Sequence, residues 1–176
     1  MANYIAFLRG INVGGQKIIT MERLRQIFVS LGFTNVLSYI QSGNILFNSP
    51  ETNRLILTQT IEQTLSNTFG FYISTIIRTE DEIKAILNNS IFNSYSNENI
   101  KQYITFFQEK PQKDVPIPYT SPIRNLEVIK QTDTEAYIVS FLVKGKYGFP
   151  NNFIEKELNI VATTRNWRTL DKIVKR

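Results

Sequence analysis

A chain of 176 residues, 42% hydrophobic and 12% aromatic, has the apolar material for one ordinary domain or two small ones and is not intrinsically disordered. It contains neither cysteine nor histidine, which excludes disulfides, thiolate nucleophiles, zinc sites built on those residues and every catalytic arrangement that relies on imidazole. The net charge of +5 is concentrated: from Lys144 onward eight basic residues stand against three acidic ones, whereas residues 1–143 hold twelve of each. An anionic partner is therefore expected at the C-terminal segment.

No apolar run approaches the roughly 20 residues that span a bilayer, and the N-terminus has no signal-peptide pattern. A soluble, cytoplasmic protein with no membrane partner is the expectation. No metal site and no cofactor is read from the residues, and any acid or base has to be a tuned Asp, Glu, Lys or Tyr.

Tyr4 to Leu8 is a continuous apolar run, as in a central strand. After a glycine loop, Thr20 caps a helix with Met21, Leu24, Ile27, Phe28 and Leu31 at helical spacing, stopped by Gly32. Val36 to Ile40 and Ile45 to Phe47 are strands joined by the turn Ser42-Gly43-Asn44. Thr52 to Thr68 reads as a second helix, with Leu57, Ile61 and Leu65 one turn apart and Gly70 closing it, followed by a strand from Phe71 to Ile77. That order is the split-βαβ, ferredoxin-like arrangement.

Thr79-Glu80-Asp81-Glu82 is a capping box that opens a short helix through Leu87, and Asn88 to Asn99 is loop by composition. Lys101 to Gln108 is a strand. Pro111 to Pro122 carries four prolines and is read as an irregular connection. Arg124 to Gln131 and Glu135 to Val143 form a hairpin, and Asn152 with Glu155 is expected to cap a helix through Leu158 behind Pro150. Ile160 to Thr163 is a short strand, after which Thr164 caps a terminal helix from Arg165 to Lys175. The expected fold is α+β, with two tandem ferredoxin-like plaits, the second degraded, plus a C-terminal helix. The expected divisions are residues 1–78, a connecting 79–99, and 100–176.

Three motifs in this order, Leu8-Arg9-Gly10-Ile11-Asn12-Val13-Gly14-Gly15, Tyr39-Ile40-Gln41-Ser42-Gly43-Asn44 and Thr163-Thr164-Arg165-Asn166-Trp167-Arg168-Thr169, resemble the bacterial domain-of-unknown-function family 1697. The resemblance implies a duplicated ferredoxin-like fold. It implies no activity, so no catalytic residue is carried over from it.

The Gly10 to Lys17 loop invites comparison with phosphate loops, but a dinucleotide fingerprint needs Gly where Asn12 stands. A Walker-A loop needs Lys straight after the second glycine, whereas Gly15 is followed by Gln16 and Lys17. A weaker form remains, with Arg9, Asn12 and Lys17 around a small anion. Against it, Gly14 and Gly15 make a tight turn, Arg9 pairs with a carboxylate such as Glu22, and Asn12 caps the loop. Ser42 lacks a nucleophile elbow and is explained by its turn.

On the terminal helix Arg165, Arg168, Lys172, Lys175 and Arg176 form a basic stripe opposite Trp167, Leu170, Ile173 and Val174. Arg165, Arg168 and Lys172 are the candidates for binding phosphate, and the bland alternative is a solvated face. Tyr103, Phe106, Phe107, Tyr137 and Phe141 lack the pattern of an RNA-stacking sheet and are expected in the core. The leading expectation is a binding protein for a phosphorylated small molecule or a nucleic acid. The alternatives are an enzyme with a tuned Lys or carboxylate between the sheets and a protein-interaction module.

Overall fold

The opening apolar run forms strand β1, Ala2–Leu8, in the computed structural model, which describes residues 1–176. It is followed by α1 (Met21–Ser30), β2 (Thr34–Tyr39), β3 (Asn44–Ser49), α2 (Arg54–Phe69) and β4 (Thr75–Thr79). The sheet order is β2-β3-β1-β4, with every neighbour antiparallel. Strand alternation sends Tyr4, Ala6 and Leu8 to the face covered by Leu24 and Phe28 of α1 and by Leu57, Ile61 and Leu65 of α2, and these residues share one core.

Local chemistry sets the helix ends. Thr20 accepts from the Arg23 amide and Asn53 from the amides of Leu55 and Ile56, while Gly70 closes α2 in the left-handed region. The fourth strand begins at Thr75 and not at Phe71, because β1 ends at Leu8 and the ladder between them starts with Leu8 opposite Thr75. Thr79 and Glu82 then exchange hydrogen bonds of 2.7 and 3.1 Å, the expected capping box of α3, Glu80–Leu87.

Contacts divide the chain into two units, Met1–Ile83 and Lys84–Arg176. In the second, the segment expected to be loop contains a 3-10 turn, Ser90–Tyr95, capped by Asn89 and anchored by buried Phe92. Strands β5 (Ile100–Phe107), β6 (Tyr119–Thr120), β7 (Leu126–Gln131) and β8 (Glu135–Phe141) precede α4 (Asn151–Leu158), β9 (Ala162–Asn166) and α5 (Trp167–Val174). The sheet order is β6-β7-β8-β5-β9, again antiparallel. Bulges interrupt the ladders at β2, between Thr34 and Leu37, and at β7, between Val128 and Lys130. The protein is thus mixed α+β with two antiparallel sheets.

Ile154 and Leu158 of α4 share a core with Tyr103, Phe107, Val128 and Ile138, to which the proline-rich crossing adds Val115. Tyr119 of that crossing stacks on Phe153 at 5.7 Å and donates to Glu157 at 2.8 Å. Asn152 and Glu155 do not form a capping box. Pro150 stands at the N-cap with no side-chain hydrogen bond, and Glu155 accepts from the Ala162 amide at 2.8 Å, so the carboxylate ties α4 to β9 instead.

The terminal helix also starts later than its sequence suggests. Arg165 lies in β9, opposite Ile104, and is buried, so it is not part of the basic helical stripe. Ladder pairing to β5 outweighs local helix preference here, and the Thr164 hydroxyl is taken up by Thr105 and Asn151. Asn166 caps α5 instead. Among the sheet aromatics, Tyr103, Phe106, Phe107 and Tyr137 are buried, as expected, while Phe141 at the end of β8 is only half-buried.

Candidate functional site

The glycine loop after β1 is a knot tied by one amide. Asn12 Nδ2 donates to the carbonyls of Ile19 and Gln41 at 2.9 and 2.8 Å, and its Oδ1 accepts from the Ile19 amide at 2.7 Å. The loop is thereby sewn to the β2–β3 turn, where Gly43 has φ +77° and an added Cβ would lie 2.9 Å from the Leu8 Cβ. Lys17 Nζ donates to the Tyr72 carbonyl at 3.3 Å and lies 5.3 Å from the Phe71 ring centroid. The Arg9 amide donates to Ser74 O at 2.8 Å. The Arg9 backbone and the Lys17 side chain thus meet the segment just before β4, whereas the Asn12 amide is committed to Ile19 and Gln41.

The second cluster is dispersed. Arg165 Nη1 donates to Thr163 Oγ1 and Thr164 O at 2.8 and 2.9 Å, and burial pulls its pKa down to about 10, so it is still a cation at neutral pH. Lys172 is exposed on α5. Arg168, also exposed, is the one of the six candidates that lines a cavity of about 360 Å³.

That cavity arises because two elements end out of step. Strand β5 pairs with β8 from Ile100 to Phe106 but with β9 only from Tyr103 onward. Beyond Asn166 the chain turns into α5, so the β9 side of Ile100–Gln102 has no strand neighbour. The space is bounded by this strand end, by Asn166, Trp167 and Arg168 at the start of α5, and by Tyr95 to Glu98. Gln102 Nε2 holds the 3-10 turn in place by donating to the carbonyls of Phe92 and Tyr95 at 3.3 and 2.9 Å.

Its polar groups are positioned by neighbours. Lys101 Nζ sits 4.1 Å from the centroid of the Tyr147 ring, whose hydroxyl donates to Glu98 O at 3.4 Å. Asn166 Oδ1 caps the Arg168 amide at 2.9 Å, and the same side chain hydrogen-bonds the Tyr103 phenol. Burial raises the Tyr103 pKa and Tyr147 adds to this, outweighing the opposing bond from Asn166, so the phenol remains a protonated donor at neutral pH. Trp167 meets Phe92 edge to face at 4.9 Å and 73°, which fixes its ring. Elsewhere, no group of three or more carboxylates converges where a metal ion could sit, and no helix is long and apolar enough to cross a membrane.

Ladder register makes this corner comparable with one in the first unit. Tyr4 faces Thr79 and Ile5 faces Arg78, just as Tyr103 faces Asn166 and Ile104 faces Arg165. Aligned on these pairs, Asn3-Tyr4-Ile5-Ala6-Phe7-Leu8 stands over Gln102-Tyr103-Ile104-Thr105-Phe106-Phe107. Likewise Arg78-Thr79-Glu80-Asp81 stands over Arg165-Asn166-Trp167-Arg168. Both arginines are buried, 5% and 7% exposed.

The chemistry at the helix start is reversed. The first unit has Glu80 and Asp81 where the second has Trp167 and Arg168, and Ala2 where the second has Lys101. In the first unit Asn3 Nδ2 bridges to Glu80 Oε2 at 3.1 Å and Asn48 Nδ2 donates to Asn3 Oδ1 at 2.6 Å, tying strand to helix where the second unit has its cavity. Lys101 and Tyr103 are not among the residues that sequence reasoning proposes as ligands. The matching ladder register is the pattern that marks them, because it shows where the second unit departs from the first.

Residues 1–137 match the family model "Protein of unknown function (DUF1697)", and the chain belongs to that family. The matched span holds the first two motifs; the third, at Thr163–Thr169, lies beyond it. The chain is also similar to the solved structure of SP0830, a conserved bacterial protein from Streptococcus pneumoniae. That likeness has 23% identity and a TM-score of 0.68 over 99% of this chain and 97% of the other, and it establishes a shared fold from end to end. No curated protein matches the chain.

Proposed function

We propose that the protein binds an anionic ligand, a phosphorylated small molecule or a nucleic acid, without catalysis, at the corner between β5 and α5. The observation that carries this reading is the placement of Lys101 and Arg168 on one cavity, at the position where the first unit has Ala2 and the acidic pair Glu80 and Asp81. Two cations and a protonated phenol on a recessed surface favour negative charge through Coulomb attraction and charge-assisted hydrogen bonds. The further basic residue Lys172, exposed on α5, adds to the local field.

Each unit is read as a ferredoxin-like plait. What supports this is the strand order β2-β3-β1-β4 and its counterpart β7-β8-β5-β9, the second copy having lost its first crossover helix and gained β6 at the edge.

The test is a titration of labelled single-stranded RNA, duplex DNA and inorganic pyrophosphate against the wild-type chain and the double reversal Lys101→Glu/Arg168→Glu. Both residues are exposed, so the variant should fold normally. Wild-type affinity should fall with salt, log K losing roughly 0.7 (single strand) or 0.9 (duplex) per decade of salt for each phosphate contact. The reversal should abolish binding. Undiminished binding by the folded variant, or none by any probe at low salt, overturns the proposal.

A further inference from the structure

We infer that the cavity beside α5 takes a mononucleotide, its phosphate held by Lys101 and Arg168 and its base against the Trp167 ring. This rests on the anion-binding reading above and narrows it to one class of ligand.

Size is the first argument. About 360 Å³ lies at the small end of the roughly 300–1,000 Å³ of small-ligand sites, which suits one compact ligand better than a run of nucleotides. A strand binder needs a groove that continues past the first nucleotide, with repeated stacking platforms. Here the space is bounded by the 3-10 turn that Gln102 holds in place.

The second argument is the mixture of chemistries within that volume. A site for inorganic phosphate alone has no use for an aromatic wall, and a site for a neutral base has no use for two cations. This cavity has both, since Lys101 and Arg168 line it together with Tyr95 and Trp167. Trp167 is braced edge-on by Phe92 at 4.9 Å, so a planar ligand meets a ring whose orientation is already set. Glu98 supplies a carboxylate on the same lining. That group repels a bare anion but accepts hydrogen bonds from sugar hydroxyls, which favours a ligand bearing hydroxyls as well as a phosphate. The Tyr103 phenol, hydrogen-bonded by Asn166, offers its own O–H to a phosphate oxygen.

The experiment uses the protein's own reporter, since Trp167 is the sole tryptophan of the chain and lines the cavity. Its fluorescence is titrated at low salt with adenosine 5′-monophosphate, adenosine, inorganic phosphate and a single-stranded RNA oligonucleotide. Calorimetry provides the readout where Trp167 is replaced. The monophosphate should give a saturable change, with adenosine and inorganic phosphate each at least tenfold weaker. Arg168→Glu should weaken the monophosphate at least tenfold and leave adenosine unaltered. Trp167→Phe should weaken the monophosphate and adenosine by the same several-fold factor.

Adenosine binding as tightly as its monophosphate overturns the inference. So does inorganic phosphate matching the monophosphate, which leaves an anion site without base recognition. Oligonucleotide binding that the monophosphate does not displace overturns it too, while the broader anion-binding reading stands. If none of the four probes binds, the mononucleotide inference falls, and the broader reading falls with it only when pyrophosphate and duplex DNA also fail to bind at low salt.

Discussion

The two units keep the same ladder arrangement while differing in what crosses it. In the first, the step from β1 to β2 is made by α1, whose Leu24 and Phe28 fill the core. In the second, the step from β5 to β7 runs through Pro111, Pro116, Pro118 and Pro122, residues that cannot sustain a helix, and Val115 with half-buried Tyr119 reaches the core in place of a helix face. The corresponding strands nevertheless adopt the same order. Strand register therefore specifies each sheet, and the crossing is free to change.

The strongest way to break this comparison is to remove one core methyl cluster from each unit. Ile61 and Ile154 are both fully buried on helices, and replacement by Ala should cost roughly 2–5 kcal/mol in either. Ile154→Ala should be the more costly, because α4 is the one helix that fills its core whereas α2 is backed by α1. Urea unfolding with a folding-unit-specific probe decides it; an equal or reversed order means the proline-rich crossing seals the second core as well as a helix does.

Turns give a smaller effect. Gly43→Ala meets both the left-handed backbone and the side chains of Leu8 and Ile11, and should cost about 2–3 kcal/mol. Gly145→Ala, in the second unit, has φ +74° but nothing within 4 Å of the new Cβ, so backbone strain alone leaves about 1 kcal/mol. Thermal midpoints that fall equally for the two would show that the contact with Leu8 is relieved by repacking.

The smallest effect separates the units by pH. Burial pushes the Glu82 pKa up, but the Thr79 amide, then Arg54 at 2.8 Å, then the Arg78 charge outweigh it and leave the carboxylate below its ordinary value. Its stabilisation is therefore complete above the unfolded-state pKa, near 4.5, and is lost as pH falls through the lower folded-state value. The corresponding residue of the second unit, Thr169, does not titrate. Glu82→Gln should cost about 0.5–1 kcal/mol at pH 7, discounted because the side chain is 38% exposed, and nothing at pH 2. A cost that persists at pH 2 would assign the effect to packing and not to charge.

Much of the first unit was legible from residue pattern, because its signals are local. Thr20, the Thr79 and Glu82 pair, and Gly70 act within a turn of where they stand. The second unit was harder to read because its decisive contacts are distant in the chain. Arg165 looks helical by its neighbours but is claimed by β5, sixty residues earlier. Glu155 looks like a cap but binds Ala162. For the candidate site, Arg168 was visible as part of a basic stripe. Lys101 and Tyr103 gain meaning only when β5 is laid over β1, and no charge or spacing rule applied to one copy shows that.

The paired arginines have one more consequence. Strands β4 and β9 are the outermost members of their sheets, and each buries a guanidinium, Arg78 or Arg165, one residue before its end. An edge strand is where a foreign chain adds and where a sheet slides, and a one-residue slide carries every side chain to the opposite face. Here a slide would have to move a buried cation with the rest of the strand, so each arginine penalises a change of register. The opposite flanks are defended by other means, a bulge in β2 and a two-residue terminal strand, β6. The two sheets thus have four outer strands, and each is marked by a feature that sets its register or its length.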